Sequence, residues 1–177
     1  EEDTRHGFYR PVSSSRFQIK IGNNGLPIKW ENQTVQPNVL AQKAAPLKWF
    51  DFDPYAIAGS VHDYPILEKH FYDIDNVNLK HKGLELGVPV GNWRSPANNV
   101  NVFYIESVID ELAFLSKIDP AVYRLSLIKK SQRHKKVLEK VLDMSGWFKT
   151  TNEGYGLGIG INDWFPIVEN NSIVALI

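Results

Sequence analysis

The sequence predicts an α+β fold in which strands and helices occupy separate stretches of the chain. Three observations carry this. Apolar residues alternate with polar ones on both sides of a glycine–asparagine turn between Ser14 and Val35. A run of helix-spaced apolar residues then extends from Val100 to Met144, and short alternating stretches return after Gly154. The order is therefore strands, a long loop, a strand, three helices and strands.

The elements follow in chain order. Phe17, Ile19 and Ile21 alternate with Gln18 and Lys20, Gly22-Asn23-Asn24-Gly25 supplies turn chemistry, and Leu26, Ile28 and Trp30 alternate again, which predicts a β-hairpin. Pro37, Pro46, Pro54 and Pro65 break the stretch from Gln36 to Pro65 into a long, partly helical connection, with a strand expected over Asn76–Leu86. The segment Gly87–Pro96, with two glycines and two prolines in ten residues, is irregular. Directly behind it a helix is expected over Val100–Lys117. Val102, Ile105, Val108, Ile109, Leu112 and Leu115 form its stripe, and Phe103, Tyr104 and Phe114 widen that stripe until the helix reads as buried nearly all round. Asp119-Pro120 caps and opens a second helix, drawn through Lys130. A third, basic helix spans Gln132–Met144 with Val137, Leu138, Val141 and Leu142 inward; Ser145-Gly146 ends it and Trp147 plugs the space beyond. Gly154, Gly156, Gly158 and Gly160 alternate with Tyr155, Leu157 and Ile159 as a strand with one bare face, and a last strand is expected over Ser172–Ile177.

Composition narrows the function. A hydrophobic content of 43% with 12% aromatics is globular, and 177 residues suit one domain. Twenty basic residues balance twenty acidic ones, so no global field draws nucleic acid or an anionic membrane. No apolar run is long enough to span a bilayer. The lack of cysteine excludes disulfides, thiolate zinc sites, iron–sulfur ligation and a Cys nucleophile within this segment, and is compatible with cytosol or periplasm. The charged beginning, Glu1 to His6, and the apolar end, Ile173 to Ile177, read as cut ends of a longer chain.

Few motifs carry chemistry. P-loop, nucleophile-elbow and H-E-x-x-H patterns are missing, and the glycines at 154–160 do not have dinucleotide spacing. His6, His62, His70, His81 and His134 lack metal-ligand spacing, and His134, amid Arg133, Lys135 and Lys136, reads as solvated. Glu106 and Asp110 share a helix face. On a buried helix they are more simply structural than an acid–base pair, with Glu106 holding backbone donors of the 87–96 loop and Asp110 meeting water or a base. Asn32-Gln33-Thr34 and Asn170-Asn171-Ser172 match the glycosylation pattern, a match common by chance. In the Gly87–Pro96 loop, glycines let backbone approach a ligand, Arg94 offers a planar fork and Trp93 an apolar plate. From these residues alone, a ligand-facing loop and a plain Gly/Pro connection are equally good readings.

Gly87-Val-Pro-Val-Gly-Asn-Trp-Arg-Ser-Pro96 followed by Asn101-Val-Phe-Tyr-Ile-Glu106-Ser-Val-Ile-Asp110-Glu111-Leu-Ala113 resembles the molybdenum-binding large subunit of the xanthine dehydrogenase/aldehyde oxidase family, in the branch of the isoquinoline 1-oxidoreductase beta subunit. Arg5–Pro11, Asp119-Pro120 with Tyr123-Arg124, Arg133-His134 through Glu139, and Gly146-Trp147 with Gly154–Gly158 support it in the same order, over nearly the whole chain. The resemblance implies a bacterial molybdenum hydroxylase acting on an aldehyde or N-heterocycle with water-derived oxygen. It implies that Asn92, Trp93, Arg94 and Ser95 border a molybdopterin cytosine dinucleotide, mainly through backbone. It also implies an iron–sulfur partner subunit and a catalytic glutamate C-terminal to Ile177, so no catalytic or metal-ligating residue is expected here. Ser95-Pro96-Ala97-Asn98-Asn99 replaces the family's glycine-rich stretch, which bears on the side-chain contacts. Residues 1–177 are then expected to be a single α+β piece of a molybdopterin-binding domain, with the flanking parts absent, no cofactor bound in isolation, and self-association through uncovered apolar surface. The alternative from another class is a stand-alone α+β protein-binding or scaffold module.

Overall fold

The computed structural model describes residues 5–38, 53–57, 59–61, 70–91, 93, 95, 97–149, 153–163 and 173–176. It is an α+β fold. The hairpin forms as β1 (Ser14–Ile21) and β2 (Pro27–Gln36), antiparallel, with Ile19 opposite Trp30 and Phe17 opposite Asn32. A register shift between Lys20 and Ile21 interrupts the alternation at the turn, and Ile28, expected inward, is 41% exposed. Gly25 sits at φ 78°, and its carbonyl accepts from Ser116 Oγ at 2.8 Å and Tyr123 Oη at 2.9 Å, pinning the turn to the helices. Burial pushes the Tyr123 hydroxyl up to about 12.

β3 (Val77–Gly83) is shorter than the expected strand and lies parallel to β2, completing a sheet of order β1-β2-β3. A parallel partner needs a crossover, which is why so long a connection separates the two. The described part of that connection contains one 3-10 turn, Pro54–Ile57; residues 39–52 and 62–69 lie outside the described residues.

The helices are α1 (Asn98–Ser116), α2 (Pro120–Leu127) and α3 (Gln132–Ser145). The Asp119 carboxylate accepts from Ala121 and Val122 N–H at 2.8 and 3.1 Å, so α2 starts where the sequence placed it. It ends at Leu127 rather than Lys130, because Asp73 Oδ2 takes the Lys129 and Lys130 N–H groups at 2.8 and 2.9 Å. Gly146, left-handed at φ 65°, ends α3, and Trp147 donates to Asp119 at 3.1 Å.

One core joins the inner sheet face to the helices: Trp30, Ile105, Ile109, Leu112, Tyr123, Leu127, Leu138 and Leu142, with Phe17, Ile19 and Ile21 packed against it. α1 is not buried all round. Phe103, Phe114 and Leu115 are 67%, 83% and 66% exposed. The sheet and α2 cover one side of a cylinder, and among the described residues nothing covers the other. The glycine stretch is also not the expected strand. β4 runs over Gly160–Asp163 only, antiparallel to β5 (Ile173–Leu176), and the residues before Gly160 have no neighbouring strand to bond among those described. No helix among the described residues is long and apolar enough to cross a membrane.

Candidate functional site

The irregular loop is held by the N-terminal segment. Tyr9 N–H donates to the Pro89 carbonyl at 2.9 Å and Gly91 N–H to the Tyr9 carbonyl at 3.0 Å, a parallel bridge of Tyr9 with Val90. A Cβ at Gly91 would stand 2.7 Å from Phe8 Cβ, so only glycine permits this approach. Trp93 Nε1 donates to the Phe8 carbonyl at 2.7 Å, while its ring stays 53% exposed with the Arg10 guanidinium 5.9 Å above it. The ring is thus tied at one edge, with about half its surface exposed. Ser95 and Ala97 adopt positive φ, 63° and 56°, a conformation uncommon for non-glycine residues. Asn92 and Arg94, the other two expected cofactor neighbours, lie outside the described residues.

α1 opens immediately beyond, and no side chain caps it. The first-turn N–H groups of a helix carry a partial positive charge and no intrahelical partner. Asn98, the first helical residue, is 1% exposed, and among the described residues neither its amide nitrogen nor its amide oxygen has a hydrogen-bond partner. Burying an amide unpaired costs about 1–3 kcal/mol. Asn101, one turn on, donates to the Ala56 carbonyl at 2.8 Å and thereby fixes the 3-10 turn beside the helix start. Asn98 was not singled out from the residue pattern, and the one signal that could have found it is Ala97 at the N-cap position, a residue that cannot cap.

Further along α1 the opposite condition holds. Glu106 does not reach the 87–96 loop. Its Oε1 accepts from Tyr72 Oη at 2.9 Å, and its Oε2 accepts from Arg124 Nε at 2.9 Å and Ile161 N–H at 3.2 Å. The loop had been the expected source of donors. The chain instead brings α2 and β4 against this turn of the helix, and their donors reach the carboxylate. Asp110 does meet a base: Arg124 Nη1 donates to it at 2.6 Å and to the Pro120 carbonyl at 3.2 Å, and Nη2 donates to the Glu106 carbonyl at 3.2 Å. Arg124 is fully buried. Burial works against its charge, yet Glu106, Tyr72 and Asp110 hold its pKa above the ordinary value. Burial likewise lifts Glu106 above the usual carboxylate range, against the pull of Arg124, Tyr72 and Ile161, and burial with Glu106 pushes Tyr72 well up. With its partners supplied, Glu106 is a structural knot joining α1, α2 and β4.

His134, expected in solvent, is part of a second polar clamp. Its Nδ1 contacts Ser131 Oγ and its Nε2 lies 3.1 Å from Asp163 Oδ2, joining the start of α3 to β4. Phe71 stacks on the imidazole at 4.5 Å, and His70 stacks on Phe71 at 4.2 Å. Burial would raise the Asp163 carboxyl, but His134 and His70 prevail and leave it below the ordinary range. With both ring nitrogens engaged and a face covered, this is a fastening between elements. Of the two glycosylation matches, Asn32 is 1% exposed on β2 and is no acceptor, and Asn170 lies outside the described residues. No group of three or more His, Asp or Glu gathers as a metal set among the described residues.

No family model matches the chain, and no curated protein does. Among solved structures it is similar to the aldehyde oxidoreductase from Desulfovibrio gigas, with a TM-score of 0.66 and 13% identity over 92% of this chain. The chain spans only 19% of the length of that structure. At this identity the likeness is one of fold.

Proposed function

We propose that this chain forms one wall of the cofactor pocket of a molybdenum hydroxylase, an oxidoreductase acting on an aldehyde or N-heterocycle. The carrying observation is the buried, unpartnered amide of Asn98 at the uncapped start of α1, directly behind the loop that bears the resemblance. The fold shared with an aldehyde oxidoreductase supports it.

A pterin dinucleotide carries a polar ring edge and phosphates, and the residues present fit such a group. Asn98 offers an amide donor and acceptor, the start of α1 offers a positive dipole end, and Trp93 offers an exposed ring. Asn92, Arg94 and Ser95 border the group in this reading, as the resemblance implies. When bound, the cofactor supplies the two-electron oxidation with oxygen taken from water. The residues of this chain bind and orient it, and the proton-transferring base lies elsewhere in the parent subunit. Residues 1–177 are thus one α+β piece of a larger molybdopterin-binding domain, in the isoquinoline 1-oxidoreductase branch. The dinucleotide is the cytosine form, and an iron–sulfur subunit is the electron-accepting partner.

The test is metal analysis of the protein expressed from the longest reading frame containing this chain. Bound molybdenum in near-stoichiometric amount, reduced in Arg94→Ala together with aldehyde or N-heterocycle oxidation, is the expected result. Absence of molybdenum, with no activity lost in Arg94→Ala, overturns the proposal. The isolated chain is expected to bind none.

A further inference from the structure

The charge balance of the whole chain conceals an uneven surface. In the β1-β2-β3 sheet the inner face carries Phe17, Ile19 and Trp30 toward the helices, and the outer face is open. Strand register places its residues in rows. Arg16 pairs with Gln33, which pairs with Lys80; Gln18 pairs with Glu31, which pairs with Asn78; Lys20 pairs with Lys29; Val35 pairs with Lys82. Arg16, Lys20, Lys29, Lys80 and Lys82 are all exposed. Glu31 is the one acid among these residues, and Lys29 already holds it at 2.7 Å. No ion pair joins Arg16, Lys20, Lys80 or Lys82 to an acid among the described residues.

Such an arrangement works against the fold. Like charges directly opposite across two strands, as Lys20 and Lys29 are, destabilise the pair. A surface shaped for solubility alone would intersperse the two signs, and this chain has equal numbers of each to do so.

We infer that the outer face of this sheet is a docking surface for an acidic protein. Alternate residues along a strand are roughly 7 Å apart and neighbouring strands roughly 5 Å apart. Acids at i and i+4 of a partner helix, spaced roughly 6 Å, match that grid of cations. The central row, Gln18, Glu31 and Asn78, supplies neutral and acidic hydrogen-bonding groups suited to a mixed protein surface. Nucleic acid fits less well. The face has no aromatic side chain on which a base would stack, and a flat sheet face projects no element into a groove. This inference is independent of the cofactor proposal.

The experiment uses the 177-residue chain and a fluorescent helical peptide with glutamate at every i and i+4 position, read by anisotropy. Its glutamine counterpart and a short DNA duplex serve as comparisons. Binding is expected at low salt, weakened about tenfold or more near 0.15 M salt. Lys80→Glu with Lys82→Glu, and separately Arg16→Glu with Lys20→Glu, each weaken it about tenfold, while Lys135→Glu with Lys136→Glu on α3 leaves it unchanged. Circular dichroism of each variant verifies folding. No binding of the glutamate peptide, equal loss in the α3 pair, or equal or tighter binding of the glutamine peptide or the duplex overturns the inference.

Discussion

The two halves of α1 treat a buried polar side chain in opposite ways. At Glu106 both carboxylate oxygens are taken up by Arg124, Tyr72 and the Ile161 N–H, whereas at Asn98 neither amide atom is bonded by any described residue. Both residues are nine-tenths or more buried. A fully satisfied buried group is an internal fastening, and one left unpaired carries a cost that a ligand can relieve. The same helix therefore has a satisfied middle and, among the described residues, an unsatisfied start. The structural reading of Glu106 was the simpler one in the sequence, with its donors expected from the 87–96 loop rather than from Arg124, Tyr72 and Ile161, while Asn98 carried no such expectation.

The largest test of that contrast is at Arg124. Arg124→Ala leaves Glu106 buried without its cation and is expected to cost about 3–5 kcal/mol by urea denaturation. Should that variant fail to fold, Arg124→Met with Glu106→Leu recovers most of the stability, because replacing both members of a buried pair is close to neutral. A loss under about 1 kcal/mol in the single variant would mean the knot is not closed.

Gly91→Ala sharpens the other side. The added methyl would stand 2.7 Å from Phe8 Cβ, with an expected loss of about 1–3 kcal/mol. Limited proteolysis should then cut earlier near Phe8, where the loop's anchor is released. Unchanged cleavage would show that the N-terminal segment does not hold the loop.

The clamp at Asp163 gives a smaller, pH-dependent effect. A carboxyl held below its ordinary pKa contributes stability above that ordinary value, and the contribution is lost as pH falls through the folded-state value. Glu106, lifted by burial, titrates with the opposite sign, so the difference between wild type and Asp163→Asn is the quantity to read. That difference is expected to be about 1 kcal/mol near neutrality and to shrink below about pH 4. A gap that stays constant into acid would remove the ion-pair reading.

What was legible in the sequence was local. The hairpin declared itself because a period of two on both sides of Gly22–Gly25 is written in neighbouring residues, and Asp119-Pro120 placed the start of α2 for the same reason. The parallel pairing of β3 with β2 was not legible, because nothing near Val77 records which distant strand it joins. Glu106 and Asp110 were visible as one helix face, but their shared partner Arg124 is fixed only when α2 folds back. His134 misled for a like reason: its basic neighbours in sequence are not its neighbours in space, which are Asp163 and Phe71. The alternating glycines had a strand's period without a strand's partner. Of the four loop residues expected to meet a cofactor, Trp93 is tied to the Phe8 carbonyl, Ser95 takes a positive φ just before α1, and Asn92 and Arg94 fall outside the described residues.

The most direct measurement pairs two readouts of Asn98→Ala. Since Asn98 makes no hydrogen bond among the described residues, its truncation removes an unpaired buried amide that costs about 1–3 kcal/mol, and the isolated chain is expected to lose no urea stability. In the protein expressed from the full reading frame, the same change should lower bound molybdenum several-fold. Stability retained or raised, with molybdenum lost, is the predicted outcome. Molybdenum retained at the wild-type level, or none in either protein, would contradict the claim that the start of α1 faces a cofactor.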